Sequence, residues 1–264
     1  TADDHANIND TSFTLTLLDD AFGVTDADQV AGYEQVFSLN FNDGTLTINT
    51  VPYSESFETY TDGYMIGAGE GWAPENTGAV TSEVAALDAL DNWGTEYPLV
   101  TNHMQVLRMG GEISDEIKSG EGGNLYTDCM LYTTVREVPP SGSTNYQVAF
   151  YVNTNEQLVV WHAGGTSNEW VTLTGHTVTT SAWHRFTVHQ DHLNAKYRVF
   201  LDGAAEPLSG PDGSWFNMVN QNDYLSRLRV LGGGAAAPVY MDDLVVGTQR
   251  PGFILPPGSL FMFR

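Results

Sequence analysis

The feature that most constrains this chain is its rhythm: short runs in which apolar and polar side chains alternate, broken by turn-forming residues. Ser12-Phe13-Thr14-Leu15-Thr16-Leu17 alternates strictly, placing Phe13, Leu15 and Leu17 on one face and the hydroxyls on the other. Val36 to Thr50 reads as a hairpin: Phe37, Leu39 and Phe41 alternate, Asn42-Asp43-Gly44 supplies the turn, and Leu46 and Ile48 alternate back. Further strands are expected at Gly78–Ala86, Val106–Met109, Leu125–Val135, Tyr146–Asn153, Gln157–His162, Trp170–Leu173, Trp183–His189, Lys196–Leu201, Leu225–Leu231 and Val239–Val246. Gly110 to Gly123 reads as a loop, and Ser82–Leu90 is the one short helix candidate. Many short strands with no sustained helical period predict an all-β sandwich or barrel.

The segments divide the chain into an N-terminal strand-and-hairpin extension (1–52), a β body (53–249) and an apolar C-terminal tail (250–264). The tail carries Phe253-Ile254-Leu255, a Pro256-Pro257-Gly258 break, then Leu260, Phe261 and Phe263. Chain ends are normally polar, so apolar ends call for a groove, a sheet edge or a partner. The 264 residues carry 33 Asp and Glu against 10 Lys and Arg, a formal charge of −23. That surface repels nucleic acid and anionic membranes, and disfavours anionic polysaccharides unless a cation bridges them. No apolar run is long enough to span a membrane. Cys129 is the sole cysteine, which precludes an intrachain disulfide and suits a buried thiol on a strand. The start at Thr1, without a leader, fits a processed secreted protein, and a trimmed chain would look the same. An extracellular or cell-surface location is expected.

Trp183-His184-Arg185-Phe186-Thr187-Val188, followed by Lys196-Tyr197-Arg198-Val199-Phe200-Leu201-Asp202-Gly203, resembles the strand–turn–strand of concanavalin A-like lectin/glucanase (laminin-G-like) domains. Ser56-Phe57-Glu58 resembles the opening strand of that family, and Tyr240-Met241-Asp242-Asp243-Leu244-Val245-Val246 its closing strand. The resemblance implies a two-sheet antiparallel jelly roll with a concave face that often binds glycans. It also implies a structural Ca²⁺ between the opening and closing strands, with Glu58 and Asp243 at the matching positions. A solvent-facing or hydrogen-bonded pair is the plain alternative; no other cofactor is expected.

Catalytic signatures are not found. Hydrolases of this fold set carboxylates on alternate positions of one strand so that they converge on one cleft. The nearest run, Glu112-Ile113-Ser114-Asp115-Glu116, has Ser114 where the middle carboxylate belongs, and flanking glycines suggest a loop. His189-Gln190-Asp191-His192 is histidine-dense but reads as a solvated hairpin turn. Trp72, Trp93, Trp161, Trp170 and Trp215 are candidates for stacking on sugar rings, with burial the competing fate of each; Trp183 is expected in the core.

Three functions follow. The first is a non-catalytic structural subunit whose partners are other copies of itself, joined in filament-like fashion through Phe13, Leu15 and Leu17 and through the tail residues Phe253, Ile254, Leu255, Leu260, Phe261 and Phe263. Both ends folding back on their own sandwich is the alternative. The second function is a lectin-like module for neutral glycans, and the third a glycan-cleaving enzyme.

Overall fold

The computed structural model describes residues 37–42, 45–65, 72–74, 82–87, 104–115, 117, 119, 123–140, 146–164, 167–180, 182–219, 225, 228–232 and 238–250. Sixteen strands run through them: β1 Phe37–Asn42, β2 Thr45–Thr50, β3 Tyr53–Glu55, β4 Trp72–Pro74, β5 Ser82–Ala86, β6 Gln105–Met109, β7 Glu112–Asp115, β8 Asn124–Tyr132, β9 Phe150–Val152, β10 Leu158–Ala163, β11 Asn168–Thr172, β12 Trp183–Asp191, β13 Lys196–Leu201, β14 Phe216–Asn217, β15 Leu228–Leu231 and β16 Val239–Gly247. Every strand ladder among them is antiparallel. The expected hairpin is β1–β2, in register from Phe37 opposite Thr50 to Asn42 opposite Thr45.

One layer is an eight-stranded sheet in the order β14-β13-β12-β8-β16-β6-β5, with β3 pairing β16. The other consists of two three-stranded sheets, β11-β10-β9 and β15-β7-β4. Alternation sorts the side chains. Leu125, Cys129 and Leu131 of β8, Phe186 and Val188 of β12 and Met241 of β16 join Val152, Leu158, Val160 and Trp72 of the second layer in one buried core. Each large apolar side chain removed from water there contributes roughly 1.5–3 kcal/mol. Phe186 stacks on Phe150 across the layers, ring centres 5.3 Å apart. The chain is therefore an all-β antiparallel sandwich.

Four expectations need correction. Ser82–Ala86 is strand β5, paired along its length with β6, so of the two expectations for this stretch the Gly78–Ala86 strand stands over Ser82–Ala86 and the Ser82–Leu90 helix does not start there. Glu112–Asp115 is strand β7, held between β4 and β15, within the stretch read as a loop. The opening strand is Tyr53–Glu55, three residues before the motif expected to carry it, although it pairs with the closing strand β16 as the resemblance implies. Ser56-Phe57-Glu58 turns away instead, with Phe57 at φ 57° and its ring fully buried. Finally, β12 runs to Asp191, so His189 and Gln190 are buried strand residues; His192, just beyond, is buried too.

Candidate functional site

Among the described residues, the layer facing the large sheet is split into two separate sheets. Strand β9 is an edge of one small sheet and β15 an edge of the other. Both border a cavity of about 630 Å³ between the layers. Its floor is the large sheet, through Cys129, Leu131, Phe186 and Met241; Phe150 and Val152 of β9 line one side, Leu228 and Val230 of β15 the other. Protein interiors are packed as densely as organic crystals, so a space of this size is unusual. It is about four times the ~150 Å³ that takes up a benzene-sized guest.

The two sides are tied together at the rim. Arg229 of β15 donates to the Tyr146 hydroxyl, with its guanidinium 5.4 Å from the Tyr146 ring centre, and forms an ion pair with Glu112. Past β15, Gly232 lies so close to the first layer that a Cβ would stand 2.2 Å from the Met109 carbonyl oxygen, a contact only glycine permits. Among the described residues, the outward edge of β9 is met by the Arg136 N–H, which donates to the Val152 carbonyl at 2.8 Å. No described strand pairs the outward edge of β15.

The opposite face of the large sheet carries polar and aromatic groups in register. Arg198 lies opposite His189 and His189 opposite Tyr126, giving one row across β13, β12 and β8. The His189 and Tyr126 rings stack, 4.3 Å apart and 5° from parallel. Arg198 Nε donates to His189 Nδ1 at 3.0 Å, which leaves Nε2–H to donate to Asn124 Oδ1 at 2.8 Å. Burial, then the Arg198 charge, lowers the His189 pKa to about 4 and keeps the ring neutral. One row along, buried Asp128 accepts from Arg185 Nε at 2.9 Å, pairs with its Nη2 at 2.7 Å, and accepts from the Thr187 hydroxyl. Arg198 covers the Trp215 ring at 4.5 Å, and Arg250 covers Phe200 at 4.0 Å. Beside them Leu87, Val106, Met130, Tyr132, Trp183 and Tyr240 form a second apolar cluster. Trp183 is thus buried as expected, but on this face and not between the layers.

The glycan candidates fare differently. Trp72 is fully buried against Phe57, ring centres 6.2 Å apart, and presents no face to a sugar. Trp161 and Trp170 are brought together: they lie opposite each other on β10 and β11 with ring centres 4.9 Å apart. Tyr151 joins them edge-on to Trp170 at 5.1 Å. Trp161 is buried while Trp170 and Tyr151 are half-buried, so this outer face of the small sheet is partly accessible. Trp215 is exposed. Trp93 and the nine assembly residues (Phe13, Leu15, Leu17, Phe253, Ile254, Leu255, Leu260, Phe261 and Phe263) lie outside the described residues.

The two calcium candidates are tied to different strands. Glu58 Oε1 accepts the Met104 and Gln105 N–H groups at 2.8 and 3.1 Å, fixing the start of β6. Asp243 sits in the β16 bulge at φ 49°, its N–H donating to the carboxylate of fully buried Asp242 at 2.8 Å. Ca²⁺ takes six to eight oxygens. Glu58 Oε1 already serves two backbone donors, and no group of three His, Cys, Asp or Glu side chains gathers among the described residues.

No protein-family model matches the sequence, and no curated protein matches it. Among solved structures, the chain is similar to the T. cruzi calreticulin globular domain at 14% identity and a TM-score of 0.49, over 76% of this chain and 89% of that one. It is similar to the catalytic domain of a glycoside hydrolase family 131 protein from Coprinopsis cinerea at 13% identity and a TM-score of 0.41, over 78% and 97%. It also matches the binding domain of Paraclostridial Mosquitocidal Protein 1 at 8% identity and a TM-score of 0.41, over 82% of this chain but 49% of that one. At these scores the sandwich assignment rests on the strand pairing described above.

Proposed function

We propose that the chain is a non-catalytic structural subunit of an extracellular or cell-surface assembly, and that copies of it associate through their apolar terminal segments. The observation that carries this reading is the apolar cavity opening between two strand edges, β9 and β15. No described strand pairs the outward edge of β15; such an edge is a template for strand addition, and proteins that must stay monomeric guard it, commonly with lysine. This chain has two lysines, Lys118 and Lys196. Electron microscopy of the native protein at rising concentration tests the reading. Fibres or extended oligomers are expected; monodisperse particles at every concentration overturn it.

A second reading, a carbohydrate-binding module, is favoured by the Trp161–Trp170–Tyr151 surface, since indole and phenol faces stack on sugar rings while polar neighbours bind hydroxyls. A neutral-glycan array probed with the native protein tests it, and a blank array removes it. A glycan-cleaving role has less behind it, because Glu112, the first carboxylate of the nearest catalytic-like run, is engaged with Arg229.

A further inference from the structure

We infer that the slot between β9 and β15 is the acceptor for a β-strand from a second copy of the chain, and that the donor is Ser12–Leu17. The inference rests on the self-association reading and specifies its joint. The slot offers backbone edges on two sides and an apolar floor beneath. An inserted strand would pair along β15, whose outward edge no described strand takes, and would meet β9 beside the Val152 carbonyl that the Arg136 N–H already holds, at the usual ~4.8 Å strand spacing. It would join two three-stranded sheets into one layer facing the eight-stranded sheet.

What the slot requires of a donor is one apolar face and one polar face, at a period of two. Ser12–Leu17 has that pattern: Phe13, Leu15 and Leu17 would point to the floor, and Ser12, Thr14 and Thr16 away from it. One phenyl and two isobutyl groups suit a cavity of about 630 Å³, several times a benzene-sized space. The C-terminal tail fits less well. Phe253-Ile254-Leu255 is contiguous rather than alternating, and Pro256-Pro257 lacks the N–H groups a strand paired on both sides must donate. Reach permits a neighbour: residues 18–36 separate the donor from β1, and fully extended these 19 residues span roughly 60 Å.

Two measurements on the full chain test this. The first follows backbone amide exchange of the native protein before and after assembly. Amides of Phe150–Val152 and Leu228–Leu231 are expected to slow on assembly by at least as much as any others, while those of the distant edge strand β11 stay unchanged. Assemblies that form with β9 and β15 exchange unaltered overturn the inference and leave self-association standing. Protection already complete in the dilute monomer overturns it as well, because the slot is then filled in cis. The second measurement identifies the donor. In a Cys129→Ser background, Leu228→Cys is combined in turn with Phe13→Cys, Leu15→Cys and Leu17→Cys, and oxidised with oxidised glutathione. A ladder of linked multimers on a non-reducing gel is expected for at least one pair. Linked product running only as monomer, a ladder only from a Phe261→Cys partner, or no link in any pair despite assembly each overturns the assignment. If the native protein does not assemble at all, this inference and the self-association reading fall together.

Discussion

Replacing His189 with glutamine should flatten the dependence of folding stability on pH. In the native chain the imidazole is buried, stacked on Tyr126, and accepts a hydrogen bond from Arg198, so its pKa falls from 6.5 to about 4. A histidine depressed in this way is uncharged in the folded state at pH values where the unfolded chain already binds a proton. Its contribution is therefore complete above pH 6.5 and is lost as pH falls toward 4. Linkage between pH 7.5 and 4.5 gives an upper bound of about 2.5 kcal/mol for such a shift. Solvent reaches the ring's edge past exposed Asn124 and half-buried Tyr126, and this screening reduces the expected difference to about 1–2 kcal/mol. His184 works in the opposite sense. Burial pulls its pKa down, but the Asp202 carboxylate and the Thr179 carbonyl outweigh burial and raise it, so its contribution is lost as pH rises. That term is common to both proteins and cancels in the difference. Urea unfolding of native and His189→Gln chains at the two pH values is the assay. The variant should lose about 1–2 kcal/mol less than the native chain on acidification. Equal losses would refute a neutral, Arg198-bonded His189.

Asp128→Ala leaves Arg185 without its carboxylate beneath the same face and should cost about 3–5 kcal/mol in urea unfolding; a loss within experimental error would mean the pair is solvated. Leu107→Ala, at a fully buried position on β6, should cost about 2–5 kcal/mol by the same assay, whereas Leu193→Ala, 78% exposed, should cost nothing measurable. The Cys129 thiol, whose pKa is pushed far up by burial and then by the Asp128 charge, should resist thiol reagents in the folded monomer and react once urea unfolds it. If the carbohydrate reading holds, Trp170→Ala should abolish glycan binding with little change in thermal stability, because that ring is only half-buried.

Local pattern made the strands legible, and tertiary pairing decided where the pattern misled. The runs of β1–β2, β8, β12–β13 and β16 are plain in the sequence, because apolar and β-branched residues recur there between turn signals. Ser82-Glu83-Val84-Ala85-Ala86-Leu87 holds good helix formers, yet burial of Val84 and pairing with β6 prevail over that modest preference. Glycines on both sides made Glu112–Asp115 look like a loop, but neighbours β4 and β15 are distant in sequence, and they hold it as a strand. His189 and Gln190 read as a polar turn because nothing local shows how far β12 continues. Its ladder to β8 shows it, running unbroken from Trp183 opposite Tyr132 to Asp191 opposite Asn124.

The same distinction governs the two candidate surfaces. That Trp161 and Trp170 could stack on a sugar was readable from residue type; that they lie side by side required the β10–β11 register. The row Arg198–His189–Tyr126 depends on two registers at once, one of them joining strands some sixty residues apart, so no window of sequence contains it. The slot lies further still from local pattern. It arises because β9 and β15 end their separate sheets on the same cavity, whereas the strand proposed to fill it is conspicuous in sequence by its alternation. A donor strand must carry its whole specification in its own side-chain period, since it brings no neighbours with it. An acceptor is specified by where other strands stop.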